Sequence, residues 1–366
     1  MKIIINGKAF VKEHKTGVQR YCIEIVKELE KLLDNTVNGM QHMNNKQQVD
    51  SKKVEKYERN NLVIELLVPN YANIDGDKLK NIKIVKYGDM NPNMWEQIEL
   101  PLYAKKQKCI LINLCNTSPI IKPDIVCIHD INCVKNQKYY PIIFSLWYRL
   151  MFYNSIKRGK KIITVSKFSK EEIEKWYKIK NVEVVCNSFE HINSIQEDKS
   201  ILSKFNLKSG EYYFTLGTVQ KNKNIKWILE EAKNNPTQKF VITGYMNQKN
   251  LEFQLENVIY TGYLKDEELK VLMKCCKAYI MPSFYEGFGL PPLEAFALGK
   301  DVIVSDIPVM HEIFENEVTY INPYEYNFDF EDILVAKNRE KILNKYSWKK
   351  SAEKLLEIIL STIEKE

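Results

Sequence analysis

One glycine- and proline-rich stretch most constrains what this chain can fold into. The apolar residues 278–281 predict a short buried strand, and Gly287 and Gly289 follow on either side of an aromatic residue. Pro291 and Pro292 come next, and proline is typical of the first turn of a helix. The stretch therefore predicts a strand, a glycine loop and a short helix, which is the unit from which α/β folds are built.

The same stretch predicts a binding site. Glycines let a ligand approach the backbone closely, and a helix N-terminus offers N–H groups and partial positive charge that suit phosphate. Glu286 in the loop and Glu294 in the helix add two carboxylates that can accept hydrogen bonds from hydroxyl groups. Phosphate donors beside hydroxyl acceptors favour a nucleotide sugar. A strand-turn-helix with two solvated glutamates is the alternative that the residues alone leave open.

The segment Glu-Gly-Phe-Gly-Leu-Pro with a later Glu-Ala resembles the donor site of glycosyltransferase family four, also described as glycosyl transferases group 1. This resemblance covers most of the chain and points to members that build bacterial surface polysaccharides. It implies an α/β fold of the GT-B type, with two Rossmann-like domains facing a central cleft. It also implies transfer with retention of the anomeric configuration.

The resemblance assigns roles to particular residues. It implies that Glu286 and His129 are catalytic and that Glu294 binds the ribose diol. The residues that it places against the donor are Gly17, Lys223, Asn222, Tyr263, Leu264, Gly287, Phe288, Gly289, Leu290 and Glu294.

Two positions in these loops leave alternatives open. In the family an Arg-Lys pair holds the diphosphate, whereas this chain has Asn222 followed by Lys223, with Lys221 as a substitute cation. A lysine is a point charge and lacks the bidentate fork of arginine, which predicts altered diphosphate binding. In the first loop, Arg20 is either a phosphate ligand or the partner of a carboxylate.

His129 follows an apolar strand over residues 125–128 and precedes Asp130. Ligands of open α/β sheets bind at the carboxyl ends of the strands, so this polar pair is a candidate for the sugar site. The resemblance to the family's His-Asp loop implies that His129 lies by the transferred sugar, where it can hydrogen-bond a hydroxyl without acting as a base.

A chain of 366 residues exceeds a usual single core and predicts two domains. We expect an N-terminal acceptor-binding domain over residues 1–192, with a polar insertion at about 34–60, and a nucleotide-sugar-binding domain over residues 205–345. A polar link lies at about 190–205, and the resemblance implies that a C-terminal helix, 346–366, crosses back to the first domain. Trp95 lies on a helix that either lines the cleft or packs with a half-buried indole.

Charge is spread unevenly along the chain. Residues 1–200 carry 33 Lys and Arg against 23 Asp and Glu, and residues 101–170 carry 13 against 2. This predicts that one domain faces an anionic surface or substrate; no nucleic-acid module is recognisable, so nucleic acid is not an expected partner. The aromatic and then basic stretch from Tyr139 to Lys161 is either a core helix or an interfacial helix on anionic lipid.

The remaining signals concern compartment and cofactors. No apolar run reaches the ~18 residues of a membrane span, and the N-terminus enters a strand directly, so we expect a cytoplasmic protein, alternatively one peripheral on the inner face of the cell membrane. The eight cysteines form no Cys-x-x-Cys pair and predict buried reduced thiols. We expect no cofactor and no metal ion, because the five histidines lack metal spacing and no Asp-x-Asp motif ends a strand.

Together these observations predict transfer of a hexose from a nucleoside diphosphate sugar to a hydroxyl of a glycan or a polyprenyl-pyrophosphate-linked acceptor. Three alternatives remain open. A glycosidase would also use two carboxylates. An inactive nucleotide-sugar-binding protein is compatible with Asn222, and a nucleotide-sugar epimerase of the same fold would need no acceptor.

Overall fold

The computed structural model describes residues 1–11, 16–39, 62–74, 79–217, 220–244 and 255–364. These residues form two compact units. The first unit contains Met1–Val134, Ile142–Asn187 and Ser347–Glu366, and the second contains Lys135–Pro141 and Ser188–Tyr346. Most of the polar insertion predicted at 34–60 lies outside the described residues.

The first unit is built on a parallel sheet. Its strands are β1 (Lys2–Asn6), β2 (Val63–Val68), β3 (Lys83–Lys86), β4 (Ile110–Asn113), β5 (Ile125–Cys127), β6 (Lys161–Thr164) and β7 (Glu183–Val184). The strand order is β3-β2-β1-β4-β5-β6-β7, and every pairing is parallel. Ile3, Ile4 and Ile5 of the central β1 are fully buried, as expected for a parallel sheet covered on both faces.

Helices cover this sheet. They are α1 (Gly17–Gly39), α2 (Pro92–Met94), α3 (Leu100–Lys106), α4 (Asn132–Lys135), α5 (Ile142–Arg158) and α6 (Lys167–Tyr177), with a π-helical turn at Trp95–Glu99 and a 3-10 turn at Gly7–Phe10. A further 3-10 turn, Gln137–Tyr139, belongs to the second unit. In α1, Tyr21, Ile25 and Leu29 recur every fourth residue and are all fully buried. The helix runs past its expected end near Leu33 because no proline or glycine interrupts it before Gly39.

The Trp95 segment is a packed core element. The indole of Trp95 is fully buried and donates a hydrogen bond to the Tyr87 carbonyl at 2.7 Å, so the expectation of a half-buried indole is wrong. The neighbouring Glu96 is also buried, and its carboxylate accepts hydrogen bonds from Asn6 and Thr117. Helix α2 and the π-helical turn therefore tie β1 to the loop after β4.

The second unit repeats the same architecture. Its strands are β8 (Tyr212–Leu216), β9 (Lys239–Thr243), β10 (Val258–Gly262), β11 (Ala278–Met281), β12 (Asp301–Ser305) and β13 (Thr319–Ile321). They form one parallel sheet in the order β10-β9-β8-β11-β12-β13. Its core packs Trp227 and Phe240 against Ile280 and Ile303.

The helices of the second unit are α7 (His191–Ser194), α8 (Ser200–Lys204), α9 (Ile225–Asn234), α10 (Asp266–Cys275), α11 (Leu290–Ala297), α12 (Pro308–Phe314) and α13 (Arg339–Leu343), with a 3-10 turn at Lys221–Lys223. The stretch at about 190–205, which the sequence suggests is a polar link, thus contains two short helices. The last helix, α14 (Trp348–Ile363), packs against α1 in the first unit, where the Ser351 hydroxyl donates to the Cys186 carbonyl at 2.7 Å.

Asn224 joins three loops at one end of the second sheet. Its side-chain amide donates to the carbonyl of Pro282, after β11, at 3.0 Å and to that of Pro323, after β13, at 2.8 Å. The residue itself precedes α9, is buried and has φ +52. One side chain therefore fixes the loop that follows β11 against the start of α9.

Asn224→Ala should lower the free energy of unfolding by about 2–4 kcal/mol, because two buried carbonyl groups lose their donor and alanine tolerates a positive φ poorly. Urea denaturation measures the change. Asn206→Ala is the matched control, since Asn206 has φ +50 but is exposed. Equal losses for the two variants would contradict the joining role of Asn224.

Candidate functional site

The glycine loop has the predicted strand-loop-helix form. Strand β11 is buried along its length, and α11 begins at Leu290 with Pro291 and Pro292 in its first turn. Gly289 immediately precedes the helix with φ +105, and an added Cβ there would lie 2.8 Å from the Cε atom of Met310. Only glycine combines that backbone conformation with that close approach. The turn therefore directs the N-terminus of α11 toward the loop.

Two charged side chains meet at this loop. The ammonium of Lys223 lies 2.7 Å from a carboxylate oxygen of Glu286, and the two side chains are only 25% and 12% exposed. Lys223 ends the 3-10 turn after β8, and Glu286 belongs to the loop after β11. Strands β8 and β11 are neighbours in the sheet, so the two loops leave the same edge side by side. A cation and an anion are thus held together at this edge, and Glu286 precedes the first residue of α11 by four positions.

Asn222 directly precedes Lys223 in the chain and contacts the residues before the glycine loop. Its backbone carbonyl accepts a hydrogen bond from the Phe284 amide at 2.8 Å, and its side-chain nitrogen lies 3.5 Å from the Tyr285 carbonyl. The side chain is buried, whereas Lys221 is exposed. Among the described residues, the Oδ1 atom of Asn222 has no hydrogen-bond partner. The structure therefore ties Asn222 to the glycine loop, where the family places a cationic side chain.

Glu294 has a partner that the sequence did not reveal. Its carboxylate lies 2.8 Å from the Nε2 atom of His191, and both side chains are buried. His191 begins α7, 103 positions earlier in the chain. No local pattern links the two residues, because His191 falls in a stretch that reads as a polar link. A hydrogen bond of this kind fixes the orientation of the Glu294 carboxylate.

A stack of aromatic rings adjoins the same loop. The Phe284 ring stacks on Tyr139 with centroids 5.9 Å apart and on Tyr324 with centroids 5.0 Å apart. Tyr139 comes from the short segment Lys135–Pro141 that belongs to the second unit. Sequence reasoning missed this stack, since it joins three distant parts of the chain.

Other predicted donor residues lie farther along the same edge. Tyr263 and Leu264 follow β10, the edge strand, which β9 and β8 separate from β11. The Tyr263 side chain is 51% exposed, and Leu264 is buried. Phe288 is buried and packs edge-on against Tyr346 with centroids 5.4 Å apart. Its ring thus stabilises the glycine loop.

Gly17 and His129 belong to the first unit. Gly17 is the first residue of α1, and in its first turn Arg20 lies 3.9 Å from Glu24. Arg20 thus has a carboxylate within ion-pair distance, and its role as a phosphate ligand stays a prediction. Glu24 also contacts Lys27, at 2.8 Å.

The His129 ring is buried and neutral. Its Nε2 atom lies 2.8 Å from the Leu114 carbonyl, which can only accept, so Nε2 carries the proton. The ring meets Tyr21 edge-on, with centroids 4.9 Å apart. Burial lowers the pKa of His129 from 6.5 to about 4, although the carbonyl partner opposes this shift. At neutral pH the imidazole is therefore uncharged and a weak base.

The described part of the chain shows no metal site and no membrane-spanning helix. Among these residues, no three His, Cys, Asp or Glu side chains lie close enough together to bind a metal ion. The eight cysteines all lie within the described residues, none of them is in a disulfide, and five of them are buried. None of the helices described combines the length and apolarity that crossing a bilayer demands.

Solved structures identify the fold. Sucrose-phosphate synthase from Thermosynechococcus elongatus aligns with 100% of this chain and 99% of its own, with a TM-score of 0.69 and 13% identity. The Anabaena protein HepE, solved with UDP and glucose, aligns over 98% of both chains with a TM-score of 0.64 and 14% identity. At such identities the likeness shows the fold alone. It confirms an α/β protein of the GT-B class with two Rossmann-like domains.

Sequence comparison identifies the family. Residues 197–358 match the family glycosyl transferases group 1, a range that contains the glycine loop, Lys223, Glu286 and Glu294. This range of the chain is therefore similar to glycosyl transferases group 1, the family that the resemblance named.

Two relatives carry specific names. The O-antigen chain mannosyltransferase RfbU of Salmonella typhimurium is 30% identical over 224 residues, which are 57% of this chain and 59% of that protein. O-antigen chain mannosyltransferase B of Escherichia coli is 29% identical over 203 residues, which are 50% of this chain and 53% of that protein. The chain thus spans little more than half the length of these relatives.

The His191–Glu294 contact is testable by a double-mutant cycle of His191→Ala and Glu294→Ala. Each replacement strands a buried polar partner, so the coupling energy from urea unfolding should be about 1–3 kcal/mol. The exposed pair His311–Asp306, with 2.6 Å between its atoms, is the control and should couple by less than about 1 kcal/mol. Additive losses at His191 and Glu294 would show that the contact is absent in solution.

Proposed function

We propose that this protein is a retaining glycosyltransferase that moves a hexose from a nucleoside diphosphate sugar to a hydroxyl of a glycan or lipid-linked acceptor. The ion pair of Lys223 and Glu286, set beside the N-terminus of α11, carries this proposal. It supplies positive charge for a diphosphate and a carboxylate for sugar hydroxyls at one place. The match of residues 197–358 to glycosyl transferases group 1 supports the same proposal.

The chemical step demands stabilisation of two charges. When the bond between the anomeric carbon and the phosphate oxygen breaks, negative charge grows on the diphosphate and positive charge on the sugar ring. Lys223, the backbone N–H groups of the glycine loop up to Leu290 and the partial positive charge at the N-terminus of α11 stabilise the diphosphate, because Pro291 and Pro292 have no N–H to donate. An arriving diphosphate competes with Glu286 for the Lys223 ammonium, which leaves the Glu286 carboxylate to bind hydroxyls and to stabilise the cationic ring.

Proton transfer falls to the leaving group. Glu286 binds sugar hydroxyls and stabilises the ring in this proposal, and no proton transfer is assigned to it. His129, with a pKa of about 4, is a weak base, and its unprotonated Nδ1 atom serves as a hydrogen-bond acceptor for a hydroxyl. The departing phosphate oxygen takes the acceptor proton on the same face of the sugar, and this arrangement retains the anomeric configuration.

The remaining donor contacts follow from the edge of the second sheet. Glu294, held by His191, binds the ribose diol, and the loop after β10 with Tyr263 and Leu264 faces the base. Asn222 supports the glycine loop from below. The charges of Lys223 and the α11 N-terminus replace those of a metal ion, so transfer proceeds without metal or cofactor.

Mannose is the proposed sugar, and a growing polysaccharide is the proposed acceptor pathway. The support comes from the names of the Salmonella and Escherichia relatives, both O-antigen chain mannosyltransferases. The proposed site of the reaction is the cytoplasm, which eight cysteines without a disulfide among them favour.

One observation favours a second candidate. Asn222 is buried where the family has a cationic side chain, so the diphosphate site holds one charge fewer. A protein with this site could bind a nucleotide sugar without transferring it. The two candidates differ in turnover and not in donor binding.

A thermal-shift panel of mannose and glucose linked to UDP, GDP, dTDP and ADP tests the donor class. One mannose-bearing nucleotide should raise the melting temperature, since a ligand at 100 times its Kd stabilises the folded state by about 2.7 kcal/mol. Turnover is then followed as release of the nucleoside diphosphate with mannosyl acceptors, with and without EDTA. A panel without any shift would overturn the proposal, and a shift without turnover would favour the second candidate.

Glu286→Ala should reduce transfer by at least about 10²-fold, because the carboxylate acts where charge develops in the transition state. Donor binding, read by thermal shift, should change far less. Glu197→Ala is the matched control, since Glu197 also lies 2.7 Å from a lysine, Lys274, but away from the glycine loop. Full activity in the Glu286 variant would refute the role assigned to this residue.

A further inference from the structure

One face of α5 is apolar and exposed. We define the α5 outer face as six residues that are between 41% and 83% exposed: Ile142, Ile143, Leu146, Trp147, Leu150 and Tyr153. Their spacing of three, four or one positions places them on one continuous stripe of the helix. Exposed stripes of large apolar side chains mark interaction surfaces.

The opposite face anchors the helix to the first unit. Phe152 is fully buried, and the Ser155 hydroxyl lies 2.8 Å from that of Ser118. The Asn154 side chain donates to the Ile120 carbonyl at 2.6 Å. The exposure of the α5 outer face therefore follows from the way the packed helix is oriented.

The charge around this face has one sign. Residues 131–170 contain nine Lys and Arg and no Asp or Glu. Arg149, Lys157 and Arg158 of α5 are exposed, and the Lys157 ammonium lies 4.9 Å from the centre of the Tyr153 ring. Cations thus flank the apolar stripe and continue past its C-terminal end.

We propose that the α5 outer face docks this protein on an anionic lipid bilayer. The helix lies parallel to the surface with its apolar side chains at the boundary between headgroups and acyl chains, and Arg149, Lys157 and Arg158 contact lipid phosphates. Aromatic side chains such as Trp147 and Tyr153 favour this boundary, where one part of the ring is apolar and another is wet.

Charge decides between a bilayer and a second copy of the chain. In a two-fold dimer the same patch meets itself, so the acid-free segment 131–170 would face its own cations. Like charges across an interface oppose association. An anionic bilayer satisfies both the apolar stripe and the cations. Vesicle binding is measured without any sugar donor, so it succeeds or fails independently of the proposed transfer.

Flotation of the full chain with vesicles tests the docking surface. The wild type should bind vesicles that contain about 30 mol% phosphatidylglycerol and should bind pure phosphatidylcholine at least about tenfold more weakly. Leu146→Glu/Leu150→Glu should lower binding to the anionic vesicles by at least about tenfold. The control is Leu334→Glu/Val335→Glu, an exposed apolar pair in the second unit that should leave binding unchanged.

A second pair of variants tests the cations. Lys157→Gln/Arg158→Gln should weaken binding to anionic vesicles by about tenfold or more and reduce its salt dependence. Lys105→Gln/Lys106→Gln is the matched control, because this exposed basic pair also ends a helix. Equal losses for both pairs would show diffuse attraction and overturn the assignment to α5.

Sedimentation equilibrium tests the competing occupant. The wild type should be monomeric at the concentrations used for flotation, and Leu146→Glu/Leu150→Glu should leave both its mass and its melting temperature unchanged. A wild-type dimer that this variant disperses, or a wild type that binds no anionic vesicles, would overturn the proposal.

Discussion

The adjacency of β8 and β11 in the second sheet is the constraint on which the candidate site depends. The strands are far apart in the chain, yet their parallel pairing sends both following loops out at the same edge. Lys223 arrives on one loop and Glu286 on the other, and Asn224 ties the two loops together through the Pro282 carbonyl. The sheet thus creates a paired charge that neither loop could hold alone, and α11 adds its N-terminus beside it.

The parts of the site that sequence predicted are those with a local cause. Glycine and proline act within a few residues, so the turn at Gly289 and the start of α11 could be read directly. The contact of His191 with Glu294 could not, because it joins residues 103 positions apart and only the folded sheet brings them together. The burial of two side chains was not predicted either. The Trp95 indole was expected to be half-buried or to line the cleft, and the His129 ring was expected to face the cleft, but both side chains are buried.

Burial also separates two kinds of charged group in this protein. Glu96 is buried but compensated by Asn6 and Thr117, and Lys8 lies 2.8 Å from it, so its carboxylate serves the structure of the first unit. Among the described residues, Glu286 has one cation, Lys223, within ion-pair distance, and both side chains stay partly exposed, so a ligand can reach them. A carboxylate satisfied on every side stabilises a fold, whereas one held by a replaceable partner is poised for substrate.

The same reasoning applies to α5, for which the sequence left a core helix and an interfacial helix both open. When apolar residues occur on most sides of a helix, the sequence does not indicate which face is buried, because the periodicity of apolar residues is the only local signal. In the structure, Ser155 and Asn154 contact the loop after β4, so their side of α5 is the buried face. The cations of the acid-free segment 131–170 then limit which partners can cover the α5 outer face. An apolar partner with basic residues at its rim would be repelled by these cations, and an apolar partner without charge would offer them no anionic groups to contact. Only a surface that is both apolar in depth and anionic at its boundary satisfies the two features at once.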